Sequence, residues 1–95
     1  SEKTEISIIK GTVTNAEGNP VSAEIKISDK ETGVLLLSAP SDNKGNYSFA
    51  ITAKKNYLLE VDKSKYQKIS EEFFLPEGKE NQPFILIKNF VLNKK

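Results

Sequence analysis

An all-β fold, a seven-stranded antiparallel β-sandwich, is predicted by three features of the sequence. Apolar residues alternate at period two in successive short runs. Clusters of Asn, Asp, Gly and Pro separate those runs by roughly 3 to 8 residues, the spacing of hairpin loops and turns. No apolar stripe at 3.6-residue spacing extends beyond two turns, so no crossover helix is at hand to join parallel strands. Alternation alone suits an up-and-down barrel equally well, and that stays open as a second architecture.

The first strand is expected over residues 5–14, with Ile9, Gly11 and Val13 on one face and Ile6 and Ile8 on the other. A bulge near Ile8 and Ile9, or a covered outer face, would reconcile two apolar faces. After the turn at 15–20, a second strand turns Ala23, Ile25 and Ile27 inward and Glu24 and Lys26 outward. "DKETG" is a turn, and "VLLLSA" (34–39) reads as a short apolar strand that could be covered on both faces. "PSDNKGN" leads into "YSFAIT", where Tyr47, Phe49 and Ile51 share a face; "AKKN" turns into "YLLEV", with Tyr57, Leu59 and Val61 inward. The connection "DKSKYQK" carries Tyr66, and "ISEEFFL" follows with Phe73 and Leu75 on one face. Residues 76–83 read as a loop, 84–92 as one closing strand, and Lys94 and Lys95 as a frayed tail. The expected core is Val13, Ala23, Ile25, Ile27, Tyr47, Phe49, Ile51, Tyr57, Leu59, Val61, Phe73 and Leu75.

Ninety-five residues suit one domain, 1–95, expected to be a monomeric body excised from a longer protein. The net charge of +1 provides no overall field to draw in nucleic acid or anionic lipid. All fourteen cations are Lys, so the planar fork that grips phosphate or guanine is missing and nucleic-acid recognition is not expected. Without Cys, His, Met or Trp there is no disulfide, thiolate or imidazole chemistry and no soft metal site. No apolar run approaches the ~20 residues that span a bilayer as a helix, and direct membrane insertion is not expected.

Few constellations could carry chemistry. "SDNKGNY" places Asp42, Asn43 and Asn46 together, but one carboxylate falls short of a calcium loop, and a hairpin turn is the expectation. Asn46-Tyr47-Ser48 fits the N-glycosylation pattern, a match common by chance. Glu71 and Glu72, adjacent on a strand, point to opposite faces and so do not form an acid/base pair; Asp29, Glu31 and Asp62 are scattered. Lys54 and Lys55, and the group Lys63, Lys65 and Lys68, fall in loops where solvation keeps them charged, and they could meet an acidic partner or an anionic glycan. Phe73 and Phe74 cannot both point inward, so one of them is exposed or covered by a neighbouring domain. No catalytic, cofactor-binding or metal-binding residue emerges, no cofactor is expected, and no partner-binding residue is singled out.

The order of "KGTVTNAEGNPVSAEIKISDKETG", "SDNKGNYSFAI", "NYLLEVDKSKYQ" and "FFLP" resembles the carboxypeptidase regulatory-like domain, over roughly residues 8–92. The resemblance is carried by a Gly-x-Val strand, a Pro-Val plus Ala-x-Ile strand, a Gly-x-Tyr-x-Phe strand and a Tyr-x-Leu-x-Val strand. It implies a transthyretin-like (prealbumin-like) Greek-key sandwich that is not an enzyme. The sequence is most similar to the copy found in OmpA-family envelope proteins of Bacteroidetes-type bacteria, some of them linked to type IX secretion. It departs from the pattern at Lys54-Lys55, where a Gly-containing turn is usual, and at Lys65, where Gly often precedes the Tyr.

That resemblance implies a structural or protein-interaction module in the periplasm, associated with the outer membrane, with a protein partner in the cell envelope. A carbohydrate-binding accessory module is the alternative. The lack of Trp, the usual stacking platform for sugars, weighs against it.

Overall fold

The computed structural model describes residues 5–95; residues 1–4 of the expected 1–95 domain lie outside the described residues. Eight strands form: β1 (Ile6–Asn15), β2 (Glu24–Asp29), β3 (Leu35–Pro40), β4 (Asn46–Thr52), β5 (Lys55–Asp62), β6 (Ile69–Leu75), β7 (Ile85–Ile87) and β8 (Phe90–Leu92). One sheet runs β4-β1-β7, with β8 also paired to β1; the other runs β3-β2-β5-β6. These are the two layers of a β-sandwich, and the inward alternate residues of both meet in one core.

Ten of the twelve expected core residues are buried, and full burial of a Val, Ile, Leu or Phe side chain stabilises by ~1.5–3 kcal/mol. Phe49 and Ile51 face inward on the edge strand β4 but remain half-buried, whereas Tyr47 on the same strand is covered by Lys88 and Phe90. Ile9, Val21, Ala53, Phe90 and Leu92 complete the buried set. Tyr57 stacks on Phe73 with ring centroids 5.4 Å apart, and its hydroxyl donates to the Thr52 carbonyl across the sandwich. Buried Ser41 donates to the Val21 carbonyl and accepts from the Ala23 N–H, and Ser7 donates to the Pro76 carbonyl, so neither hydroxyl is stranded.

Three turns share one device. Asn15, Asp29 and Asp42 each head a turn with a side-chain oxygen that accepts two backbone N–H groups, and Gly18, Gly33 and Gly45 close those turns at positive φ.

Several expectations are corrected. The closing segment is two three-residue strands, β7 and β8, both parallel to β1, so eight strands replace seven and the first sheet is mixed. No bulge breaks β1 near Ile8 and Ile9, and the outer face there is not covered: the β1–β4 register is continuous, Ile6 is 46 % exposed and Ile8 half-buried. The irregularity lies instead at Ile27/Ser28 against β3. Val34, just before β3, and Leu35 and Leu36 at the start of this edge strand are exposed rather than covered on both faces. Residues 76–83 contain a tight hairpin in which Lys79 and Gln82 exchange backbone hydrogen bonds around Glu80 and Asn81, both at positive φ. Lys94 bridges Tyr66, and the Lys95 N–H donates to the Lys65 carbonyl, so the tail is tied down.

Candidate binding surface on the first sheet

The interruption between β7 and β8 has a specific cause. Both strands hold the same register on β1, Lys10 opposite Ile87 and Val13 opposite Phe90. Between them, Lys88 donates its N–H to the Lys10 carbonyl at 2.9 Å, as a parallel ladder requires. Its own carbonyl then leaves the ladder and accepts from the Tyr47 hydroxyl at 2.6 Å. The Thr12 N–H takes the Asn89 side-chain oxygen instead, at 2.9 Å. Only Gly permits this approach at position 11, because a Cβ there would lie 1.8 Å from the Lys88 oxygen.

The Lys88 ammonium pairs with the Glu71 carboxylate, tying the β7–β8 junction to β6 of the other sheet. Burial pushes the Tyr47 phenol well above its ordinary value, and the Glu71 charge adds to the rise, so Tyr47 stays a protonated donor.

Outside this junction lies a depression of about 500 Å³ lined by Lys10, Thr12, Asn46, Ser48, Ile87 and Asn89. A second depression, about 350 Å³, continues along β1 past Ile6, Ile8 and Ala50 to Gln82 and Pro83. Sequence reasoning missed both, since the pairing of β1 with β7 places residues nearly eighty positions apart side by side. One signal was available: Lys88-Asn89 breaks an apolar strand with a poor strand former.

Of the residues weighed from sequence, Asp42, Asn46 and Ser48 border the first depression, and the others fall elsewhere or serve the fold. The Asp42 loop is a turn but not the expected hairpin, since it carries the chain from one sheet to the other; its Oδ1 accepts the N–H groups of Lys44 and Asn46 at 2.9 and 2.8 Å. Asn46 and Ser48 are exposed on the outer face of the first sheet. Glu71 and Glu72 diverge, Glu71 to Lys88 and Glu72 to Lys30 at 3.6 Å. Lys55 is not a loop residue: it opens β5 and meets Asp29 at 2.7 Å. The Lys55 ammonium holds the Asp29 carboxyl below the usual carboxylate range against a smaller desolvation effect, helped by the N–H groups of Glu31 and Thr32. Asp29 in turn raises Lys55. Lys63 and Lys65 stay exposed, while Lys68 pairs with Glu60 at 3.0 Å. Phe73 is buried and Phe74 is 50 % exposed, as the alternation requires. Among the described residues, no cluster of three carboxylates gathers to hold a metal ion.

With its polar side chains spent on turns and strand junctions, the chain is a β-sandwich module. Residues 8–86 match the carboxypeptidase regulatory-like domain, and the chain belongs to that family. No curated protein matches it in sequence. Among solved structures, 3-chlorocatechol 1,2-dioxygenase from Rhodococcus opacus 1CP superposes with a TM-score of 0.77 at 11% identity, over 100% of this chain and 62% of that one. Chlorocatechol 1,2-dioxygenase from Pseudomonas putida gives 0.77 at 14% identity, over 99% of this chain and 62% of that one. The Bacillus anthracis TIE protein gives 0.74 at 16% identity, over 95% of this chain and 17% of that one. The chain thus spans under two thirds of each of these structures, and identities this low speak to the shared fold alone.

Proposed function

We propose that this domain is a non-catalytic structural or protein-interaction module of a larger, OmpA-family envelope protein, held in the periplasm beside the outer membrane and in some settings linked to secretion. The observation that carries the non-catalytic part is where the side chains with perturbed or buried polar groups point. Asp29, Lys55, Tyr47, Tyr57, Ser7 and Ser41 each bond to backbone or to one another across strand junctions. Catalysis needs such groups aimed at a space where substrate can sit. The envelope setting is supported by the motif order quoted above, from Gly11 to Pro76.

The carbohydrate-binding reading has one observation in its favour. Thr12, Asn46, Ser48 and Asn89 line the 500 Å³ depression with hydroxyl and amide groups suited to sugar hydroxyls. One experiment separates the two. Deleting the domain from its full-length parent, with expression held constant and the producing cells fractionated, is expected to leave the parent in the envelope fraction but weaken its co-purification with protein partners. Unchanged co-purification together with micromolar binding of the isolated domain to a glycan array would replace the interaction reading with the carbohydrate one. Recovery of the parent in the cytosol would remove the envelope setting.

A further inference from the structure

The two outward faces of the sandwich differ in how much charge they carry. On the second sheet, outward strand positions include Glu24, Lys26, Glu60 and Glu72, with ion pairs from Lys68 to Glu60 and Lys30 to Glu72. Its exposed apolar residues, Leu35 and Phe74, sit on opposite edge strands with β2 and β5 between them. On the first sheet the register sets Ile8 between Ala50 and Ile85, and Lys10 between Ser48 and Ile87. Ile6 lies one step along, and Val91 flanks Thr14 at the other end. Ile6, Ile85, Ile87 and Val91 are 46, 48, 61 and 53 % exposed. Lys10 is the one charged residue at the outward strand positions of this sheet.

Strand propensity does not demand isoleucine there. Threonine serves a pleated surface as well, and the sequence uses it at Thr12, Thr14 and Thr52 on the same face. Contiguous exposed apolar side chains on a domain mark a surface that something covers. From Ile6 to Thr12 the strip is about 20 Å long at ~3.3 Å per strand residue. Covering it with apolar atoms would strip water from the Lys10 ammonium, which is costly unless the covering surface brings an anion.

We infer that the outward face of the first sheet docks a protein partner presenting an apolar strip interrupted by one carboxylate, which pairs with Lys10. This rests on the interaction-module reading and names its surface. A glycan fits less well, because no aromatic side chain occupies the outward strand positions of this sheet for a sugar to stack on. A second copy fits less well too. Two strips face to face bring like ammonium groups together, and the one carboxylate bordering the depression, Asp42, already caps the N–H groups of Lys44 and Asn46.

The test places a photo-crosslinking amino acid at Ile6 or Ile87 on this face, and at Lys26 or Ser70 on the opposite face, in the full-length protein within the cells that produce it. Positions 6 and 87 are expected to trap the same protein, with at least tenfold less adduct from 26 and 70. The trapped peptide should be apolar and carry Asp or Glu. Lys10→Glu should cut the adduct at least tenfold without moving the melting temperature of the domain, and reversal of the partner's carboxylate to Lys should restore it. Adducts from 26 and 70 alone would overturn the assignment of the face while leaving the module reading intact. Adducts of the chain with itself would make the strip an interface between copies. No protein adduct from any of the four positions would remove both readings, and an unchanged yield in Lys10→Glu would overturn the carboxylate pairing.

Discussion

The hydroxyl of Tyr47 donates to the carbonyl of Lys88 at 2.6 Å, across the bare α-carbon of Gly11, its strand neighbour on β1. Gly-x-Val and Gly-x-Tyr-x-Phe are separate signals along the chain, but in space Gly11 and Tyr47 make one joint. The glycine leaves room for a carbonyl to turn inward, and the tyrosine satisfies it.

Gly11→Ala is therefore expected to destabilise the domain by about 2–3 kcal/mol, because the Lys88 backbone must move to admit a Cβ. Tyr47→Phe is expected to cost about 1–2 kcal/mol, the cost of leaving a partly buried carbonyl without its donor. The double variant should cost less than the sum, since the alanine has already displaced the carbonyl that Tyr47 serves. Urea melts of the four proteins measure all three quantities.

The lysines that break the family pattern sit where glycine would rest most easily. Lys54 has φ 63° and Lys65 φ 76°, a left-handed backbone that costs a residue with a Cβ about 1–2 kcal/mol. Part of that cost returns on substitution, because a flexible unfolded chain loses more entropy on folding. Lys65→Gly is expected to raise stability by about 0.5–1 kcal/mol, and Lys54→Gly by slightly less because it also gives up the long 3.9 Å contact with Glu77. A fall in melting temperature for Lys65→Gly would contradict this account of the turn.

Much of this architecture was legible in the sequence for a simple reason. Where an inward residue lies on an inner strand, as Ile25, Ile27, Leu59 and Val61 do, period-two alternation alone identifies it as core. Edge position is not written in alternation, so Phe49 and Ile51 read as fully buried and "VLLLSA" as covered. The β7–β8 break depends on a side-chain oxygen, that of Asn89, replacing a backbone one, and no period reveals such a substitution. The apolar outer strip was visible as Ile6 and Ile8, but its other half, Ile85 and Ile87, joins it only through parallel pairing with β1.

Edge and interior should separate in core truncations. Leu59, fully buried on β5, is expected to cost about 3–4 kcal/mol on replacement by alanine. Phe49→Ala removes a larger side chain yet should cost less, about 2 kcal/mol, because that ring is only partly withdrawn from water. Equal losses in denaturant melts would mean that the β4 edge is covered in solution.

The ion pair of buried Asp29 with half-exposed Lys55 predicts a stability profile with two limbs. Asp29 has its carboxyl lowered in the fold, chiefly by Lys55, so its contribution is present above the unfolded value of 3.8 and is lost as pH falls through the lower folded value. Lys55 is raised, so its contribution is complete below 10.5 and is lost as pH climbs through its higher folded value. Asp29→Asn should flatten the acid limb of a melting-temperature profile, and Lys55→Met the alkaline limb. Parallel profiles for wild type and Asp29→Asn below pH 4 would assign acid sensitivity to other carboxylates.

The Asp42 turn yields the last expectation, on metal dependence. A calcium site needs six to eight oxygens converging on one point, and one oxygen of Asp42 already accepts two backbone N–H groups that hold closed the turn carrying the chain from β3 in one sheet to β4 in the other. Those donors favour the carboxylate as a turn cap, and Gly45 completes the turn at φ 81°. Asp42→Ala should therefore destabilise the domain by about 1–2 kcal/mol with or without calcium, since the loss is of hydrogen bonds to the backbone. Asp42→Asn, which keeps an acceptor oxygen, should recover most of that stability, whereas a metal ligand would lose its charge and its function together. Chelator is expected to leave the melting temperature unchanged. A rise of several degrees on adding calcium, abolished in Asp42→Asn, would instead make the loop a cation site, because a ligand that binds only the folded state stabilises it by mass action.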